Sequence, residues 1–128
     1  MLVVMEGIDG CVKSAQIDLL REKVGAAVFK YPTSKYSMLR DYLDKKISIE
    51  PKALFLLFLA DISDDQENLK EALEENEIVI LDRYVYSTLA YEGEGFDLAH
   101  GKKIVEHIGY LRPDSVIMLD LEPKVAQE

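Results

Sequence analysis

An α/β protein built on a parallel sheet with helices on both faces is the architecture this chain predicts, and three observations predict it. Leu2-Val3-Val4-Met5 and Ile78-Val79-Ile80-Leu81 are apolar at every position, as strands buried on both faces are. The stretches between such segments space their apolar residues by three and four, the period of a helix packed on a sheet. The first strand runs directly into a glycine-bearing loop that opens a helix, and in open α/β sheets ligands bind at such strand ends.

Composition fixes the class. The chain has 128 residues, 48% hydrophobic and 30% charged, which favours one globular domain over residues 1–128. No apolar run approaches the ~20 residues of a membrane span, so no membrane partner is expected. The N-terminus enters strand pattern without a basic region or cleavage site. A lone cysteine, Cys11, allows no internal disulfide, and these features together predict a cytoplasmic protein. A net charge of −9 argues against nucleic acid as a partner. A small phosphate ligand needs only local cations, and Lys13, Arg83, Lys35 and Arg40 are the candidates.

The elements follow in order. Residues 14–24 form the first helix, with Ile17, Leu20 and Val24 on one face and Gly25 at its end. Residues 26–31 form the second strand, closed by Pro32. Ser34 can cap a helix over 35–45 whose apolar face is Met38, Leu39, Tyr42 and Leu43. Ser48 is the expected cap of the next helix, with Pro51 in its first turn. Residues 53–60 are apolar without β-branching, so they read as helix, and one apolar all round is expected to be buried all round. Ser63-Asp64-Asp65-Gln66 has the form of a capping box opening a charged helix to about residue 75, with Leu69 and Leu73 inward. The strand over 78–81 ends in Asp82-Arg83-Tyr84. Residues 84–91 look helical until Gly93 and Gly95, Asp97 can cap a helix to about residue 110, and residues 115–121 are the fourth strand. Glu122-Pro123 then opens a helix of barely a turn, so the chain is expected to be a piece or to be naturally short.

Chemistry concentrates in Glu6-Gly7-Ile8-Asp9-Gly10-Cys11-Val12-Lys13-Ser14. Strand, glycine loop, Lys-Ser and helix make a phosphate cradle, in which loop amides and the helix N-terminus face the anion. Lys13 adds a full charge, and Ser14 can place a hydroxyl on a phosphate-held Mg²⁺. The pattern wants glycine before the lysine, and Val12 stands there. Asp82, closing an apolar strand downstream, is the expected second-site carboxylate for the metal. Read without ligand, the loop is an ordinary strand-to-helix turn and Asp82 one half of an ion pair.

These residues, with Gln16, Tyr31-Pro32, Leu57-Phe58…Ala60-Asp61 and Asp82-Arg83-Tyr84…Ser87…Ala90-Tyr91, resemble the thymidylate kinases along the whole chain. The resemblance implies a P-loop NTPase-type three-layer fold, strand order 2-3-1-4, and transfer of the ATP γ-phosphoryl group to dTMP on the way to dTTP. It implies ATP and Mg²⁺, with Gly7, Asp9, Gly10, Cys11, Val12, Lys13, Ser14 and Ala15 around the ATP phosphates and Ser14 and Asp82 at the metal. Lys13, Asp82, Arg83 and Asp9 are the implied catalytic set, Asp9 also holding the sugar 3′-hydroxyl of dTMP. Phe58 would stack on thymine, though without the resemblance it reads as core. Ser87 and Thr88 fall on the substrate side, Thr88 at a thymine-contacting position. Tyr91 would crowd the 2′ position and so favour deoxyribose, Lys35 or Arg40 would grip the dTMP phosphate, and Tyr84 and Tyr86 remain packing residues. The resemblance also implies a homodimer through the apolar helix over 53–60.

The departures are specific. Val12 is β-branched and stiff, and in an unusual backbone conformation it would cost about 1–3 kcal/mol. Ala15 lacks the hydroxyl usual after the Lys-Ser pair, Ile62 stands where arginine is usual, and Glu92 where glutamine is common. The sequence stops before the lid arginine and fifth strand that the resemblance implies; if nothing follows residue 128, the fourth strand is expected to be a sheet edge. Two alternatives therefore stand beside the kinase: an impaired relative that binds nucleotide, and a kinase of another nucleoside monophosphate. Cys11, at a helix start beside Lys13, is expected to be a low-pKa thiol whose alkylation ATP slows.

Overall fold

The computed structural model describes residues 1–7, 11–86, 88 and 98–119. Strand β1 (Leu2–Gly7) leads to helix α1 (Cys11–Val24) and β2 (Ala27–Lys30). Helices α2 (Ser37–Leu43), α3 (Pro51–Asp64) and α4 (Gln66–Glu75) follow, then β3 (Val79–Asp82), helix α5 (Leu98–Ile108) and β4 (Ser115–Leu119). The four strands form one sheet in the order β2-β3-β1-β4, and every neighbouring pair is parallel. The expected order 2-3-1-4 is the observed one.

Side chains of a strand alternate between faces, and the core divides accordingly. Leu2 and Val4 of β1 and Val79 and Leu81 of β3 pack with Phe55, Leu59, Ile62 and Leu69 of α3 and α4. Met5 and Ile80 point the other way and pack with Ile17 of α1. The register sets Met5 beside Asp82 and Lys30 beside Asp82, so the carboxyl ends of the three strands β1, β2 and β3 finish level. At that common edge the end of β1 and the first turn of α1 meet the turn after β3.

Several expectations are corrected. The cap of α3 is Glu50, not Ser48: its Oε2 accepts from the Lys52 amide at 2.9 Å and the Ala53 amide at 3.1 Å. Pro51 is the reason, because its fixed φ suits the first helical position and so sets the cap one residue earlier. Helix α2 is shorter than expected and begins after Tyr36, with no side-chain cap. Leu39 alone of its predicted face is fully buried, while Met38 is 51% exposed.

The capping box does not form. Asp65 is the only residue between α3 and α4, sits in the αR region and makes no side-chain cap bond. Two nearly continuous helices leave little N-terminus to cap, and the would-be cap residues reach elsewhere. The Ser63 hydroxyl donates to Tyr110 Oη at 2.8 Å. Gln66 donates to Tyr84 Oη at 3.1 Å and accepts from the Leu111 amide at 2.8 Å.

Nor is α3 buried on every side within this chain. Leu54, Phe55, Phe58, Leu59 and Ile62 are buried, but Ala53, Leu56 and Ala60 are exposed, Leu56 by half. They recur at spacings of three and four, which makes one stripe along the helix. The expected helix over 84–91 is seen at Val85, Tyr86 and Thr88, and its remaining positions lie outside the described residues. So do Asp97, the end of the fourth strand and the turn at Glu122-Pro123.

Candidate active site

Gly7 ends β1 at φ +138°, and a Cβ there would come 2.5 Å from the Leu119 carbonyl oxygen of β4. The first glycine of the loop is thus required by contact with the sheet as well as by its backbone angle. Helix α1 opens at Cys11, which puts Val12, Lys13 and Ser14 in its first turn. Lys13 turns inward: it is 2% exposed, and its Nζ lies 2.9 Å from Asp82 Oδ1. Lysine and aspartate, 69 positions apart in sequence, therefore share one buried contact at the strand ends.

That contact has an energetic meaning. A buried ion pair gains from mutual attraction only part of what its two charges lose in leaving water. Lys13 and Asp82 are counterions of one another, and their charges are the kinds that a phosphate and a cation could respectively compete for. Ser14 and Ala15 are exposed beside them. The Ser14 hydroxyl and Asp82 carboxylate are hard oxygen donors of the kind Mg²⁺ takes, with the remaining ligands from phosphate and water. Among the described residues no group of three or more His, Cys, Asp or Glu converges.

Val12 lies in helical backbone and is 45% exposed. Positive φ among described non-glycine residues occurs only at Lys45 and Arg83. The expected backbone strain at Val12 does not arise, because the helix has already begun where the loop was expected to continue. Val12 instead presents the bulk of a branched side chain in the first turn of α1.

The turn after β3 is held from β1. The Arg83 amide donates to the Met5 carbonyl at 3.0 Å, and the Tyr84 amide donates to Glu6 Oε1 at 2.9 Å. Between those two bonds Arg83 is left-handed, φ +71°. Tyr84 is buried, its hydroxyl donates to the Leu111 carbonyl at 2.8 Å, and burial pushes its pKa up to about 12. It is a packing residue, as expected. Thr88 is buried in the helical segment that follows. Asp9, Gly10, Ser87 and Tyr91 lie outside the described residues.

The loop after β2 closes on the same edge. The Tyr31–Pro32 peptide is cis, and the Tyr31 amide donates to the Asp82 carbonyl at 3.2 Å. Asp61 of α3, 1% exposed, accepts from the Thr33 amide at 2.7 Å and the Thr33 hydroxyl at 2.5 Å. Sequence reasoning gave Asp61 and Thr33 no role; a carboxylate in the middle of an apolar helix was the available signal. Lys35 pairs with Asp64 at 2.5 Å, and this contact holds the exposed Asp64 carboxyl below the usual range. Arg40 lies 3.9 Å from Asp44. Neither cation stands idle. Phe58 is 7% exposed and packs with Leu39 and Leu54, the core environment its helix predicts. Ile62 is buried in the main core.

Residues 5–128 match the family model for thymidylate kinase. The chain belongs to the thymidylate kinase family. A thymidylate kinase of Coprothermobacter proteolyticus is 35% identical across 98% of this chain and 69% of its own length. A probable thymidylate kinase of Methanocaldococcus jannaschii is also 35% identical, over 98% of this chain and 67% of that protein. The crystal structure of the thymidylate kinase from Ehrlichia chaffeensis superposes with a TM-score of 0.80 at 27% identity, covering 94% of this chain and 74% of that one. The thymidylate kinase of Candida albicans shares the fold, with a TM-score of 0.85 at 24% identity. The family makes this a nucleoside monophosphate kinase. No helix among the described residues is long and apolar enough to cross a membrane.

Proposed function

We propose that this thymidylate kinase family member transfers the ATP γ-phosphoryl group to dTMP at the joined ends of β1 and β3. The contact between Lys13 and Asp82 carries the reading. Phosphoryl transfer asks a protein mainly for position and for cations around developing charge. Lys13 would leave Asp82 for the ATP phosphates, and Asp82 with Ser14 would hold Mg²⁺, which neutralises phosphate charge when bound. Arg83 would contact phosphate between the two nucleotides. Gly7, Gly10, Cys11, Val12 and Ala15 would line the cradle, and Asp9 would take the sugar 3′-hydroxyl. Phe58, Ser87, Thr88 and Tyr91 would form the thymidine side, with Lys35 near the dTMP phosphate once released from Asp64. The product would serve dTTP synthesis in the cytoplasm, and the Ala53–Leu56–Ala60 stripe would pair two copies of the chain.

A second reading is favoured by Val12. Its half-exposed branched side chain stands in the first turn of α1, where amides would meet phosphate, and this supports an impaired nucleotide binder. Ile62, buried in the core, gives no support to a reshaped base pocket and hence to another monophosphate. One assay separates the readings: ATP turnover with dTMP, dUMP and other monophosphates, beside Val12→Gly. Turnover on dTMP is the expected result. Binding without turnover, restored by Val12→Gly, would establish the second reading.

A further inference from the structure

We propose that Glu6 is a positioning residue for phosphoryl transfer, its carboxylate holding Arg83 in the left-handed turn that sets the direction of its side chain. The proposal rests on the reading of Arg83 as a phosphate-contacting residue.

The position is unusual for a charge. Glu6 lies in β1 on the face that Leu2 and Val4 give to the core, and it is 2% exposed. A strand whose other buried positions are apolar needs no carboxylate for packing, and burying one is costly unless it is hydrogen-bonded. Its Oε1 accepts the Tyr84 amide at 2.9 Å, a contact across 78 positions of sequence. Charge assistance makes such a bond stronger than one between neutral groups.

What the bond does follows from the ladder. Regular pairing of β1 with β3 ends at Met5 and Asp82. The Arg83 amide still reaches the Met5 carbonyl, but Arg83 then turns left-handed, a conformation that L-residues with a Cβ adopt only at a cost. One residue later the Glu6 side chain supplies an acceptor to the Tyr84 amide. Arg83 is thus held by one β1 residue on each side: Met5 before the turn, Glu6 after it. Asp82, the metal candidate, is the next residue back, so the same clamp holds the backbone that carries both side chains.

Glu6→Met removes the acceptor at similar volume, and Glu6→Gln keeps an acceptor oxygen without the charge. In Glu6→Met the Arg83 φ, read from NMR couplings or a crystal structure, is expected to leave the left-handed region. Turnover is expected to fall about 100-fold, as for a misplaced reacting group, with less change in the KM for ATP. Glu6→Gln is expected to keep φ and restore most of kcat. In an Arg83→Ala background, Glu6→Met should lower kcat no further. A left-handed Arg83 in folded Glu6→Met overturns the proposal, as does a full Glu6→Met loss in the Arg83→Ala background. If Glu6→Met does not fold, Glu6→Gln decides: a left-handed Arg83 with kcat lost would place the role of Glu6 in its charge and also overturn the proposal. Unchanged turnover in Arg83→Ala alone would instead count against the role of Arg83, and the φ measurement would still judge Glu6.

Discussion

Among single residues, Lys13 and Asp82 carry most of the argument. Their pair is buried, so removing one member strands the other. Asp82→Ala is expected to destabilise the fold by about 3–5 kcal/mol, read by denaturant titration, and to abolish turnover. Asp82→Asn, which keeps a polar partner for Lys13, should cost less stability and as much activity. Equal stability of Asp82→Ala and the parent would show the pair to be more solvated than its burial indicates. Val12→Gly belongs to the same scale. Since Val12 has ordinary helical backbone, glycine there should bring no gain in stability, while ATP affinity measured by calorimetry rises if bulk is the obstacle.

The Lys13–Asp82 meeting was legible in the sequence because both ends carry strong local signals, a Lys-Ser at a helix start and an aspartate closing an apolar strand. Glu6 and Asp61 were not. Each is a carboxylate whose partner lies far along the chain, Tyr84 for one and Thr33 for the other, and no periodicity encodes such a pairing. The strain expected at Val12 is absent because the chain becomes helical at Cys11 rather than Ser14.

For the elements, the joint between α3 and α4 teaches most. Ser63 and Gln66 match a helix start in pattern but serve Tyr110, Tyr84 and Leu111 in space. The pattern is that of a helix start, and tertiary partners outcompete it. The result is a cluster of phenols under the sheet: burial raises Tyr84 to about 12, and raises Tyr110 and Tyr31, the last also through its bond to Asp65. A group whose pKa is raised on folding stabilises fully below its unfolded value and loses that contribution as pH climbs through its folded value. Stability should therefore hold to about pH 10, the free tyrosine value, and decline above it. Ultraviolet titration should show these three phenols ionising late, together with Tyr36, which its bond to Asp64 raises, and Tyr84→Phe should soften the alkaline decline. Coincident ionisation of all seven tyrosines would refute the burial cause.

Over the whole molecule, strand order was foreseen and surface character was not. Sequence cannot say which side of an all-apolar helix meets the core, because every side looks alike. The structure leaves Ala53, Leu56 and Ala60 of α3 exposed. If that stripe joins two copies, sedimentation should give a dimer for the parent chain and a monomer for Leu56→Glu, with the circular dichroism of the two unchanged. A Leu56→Glu dimer would exclude the stripe as the interface. Another exposed apolar tract is β4, where Val116, Ile117 and Met118 are 45%, 38% and 62% exposed.

Gly7 joins that tract to the chemistry. Where a Cβ would meet the Leu119 carbonyl at 2.5 Å, there is no slack into which the end of β1 could sink. The floor of the candidate cradle is therefore solid, made of strand rather than of adjustable side chains. Guests of different length or charge must be accommodated from above, and a substitution that pushes up from below would lift the entire seat.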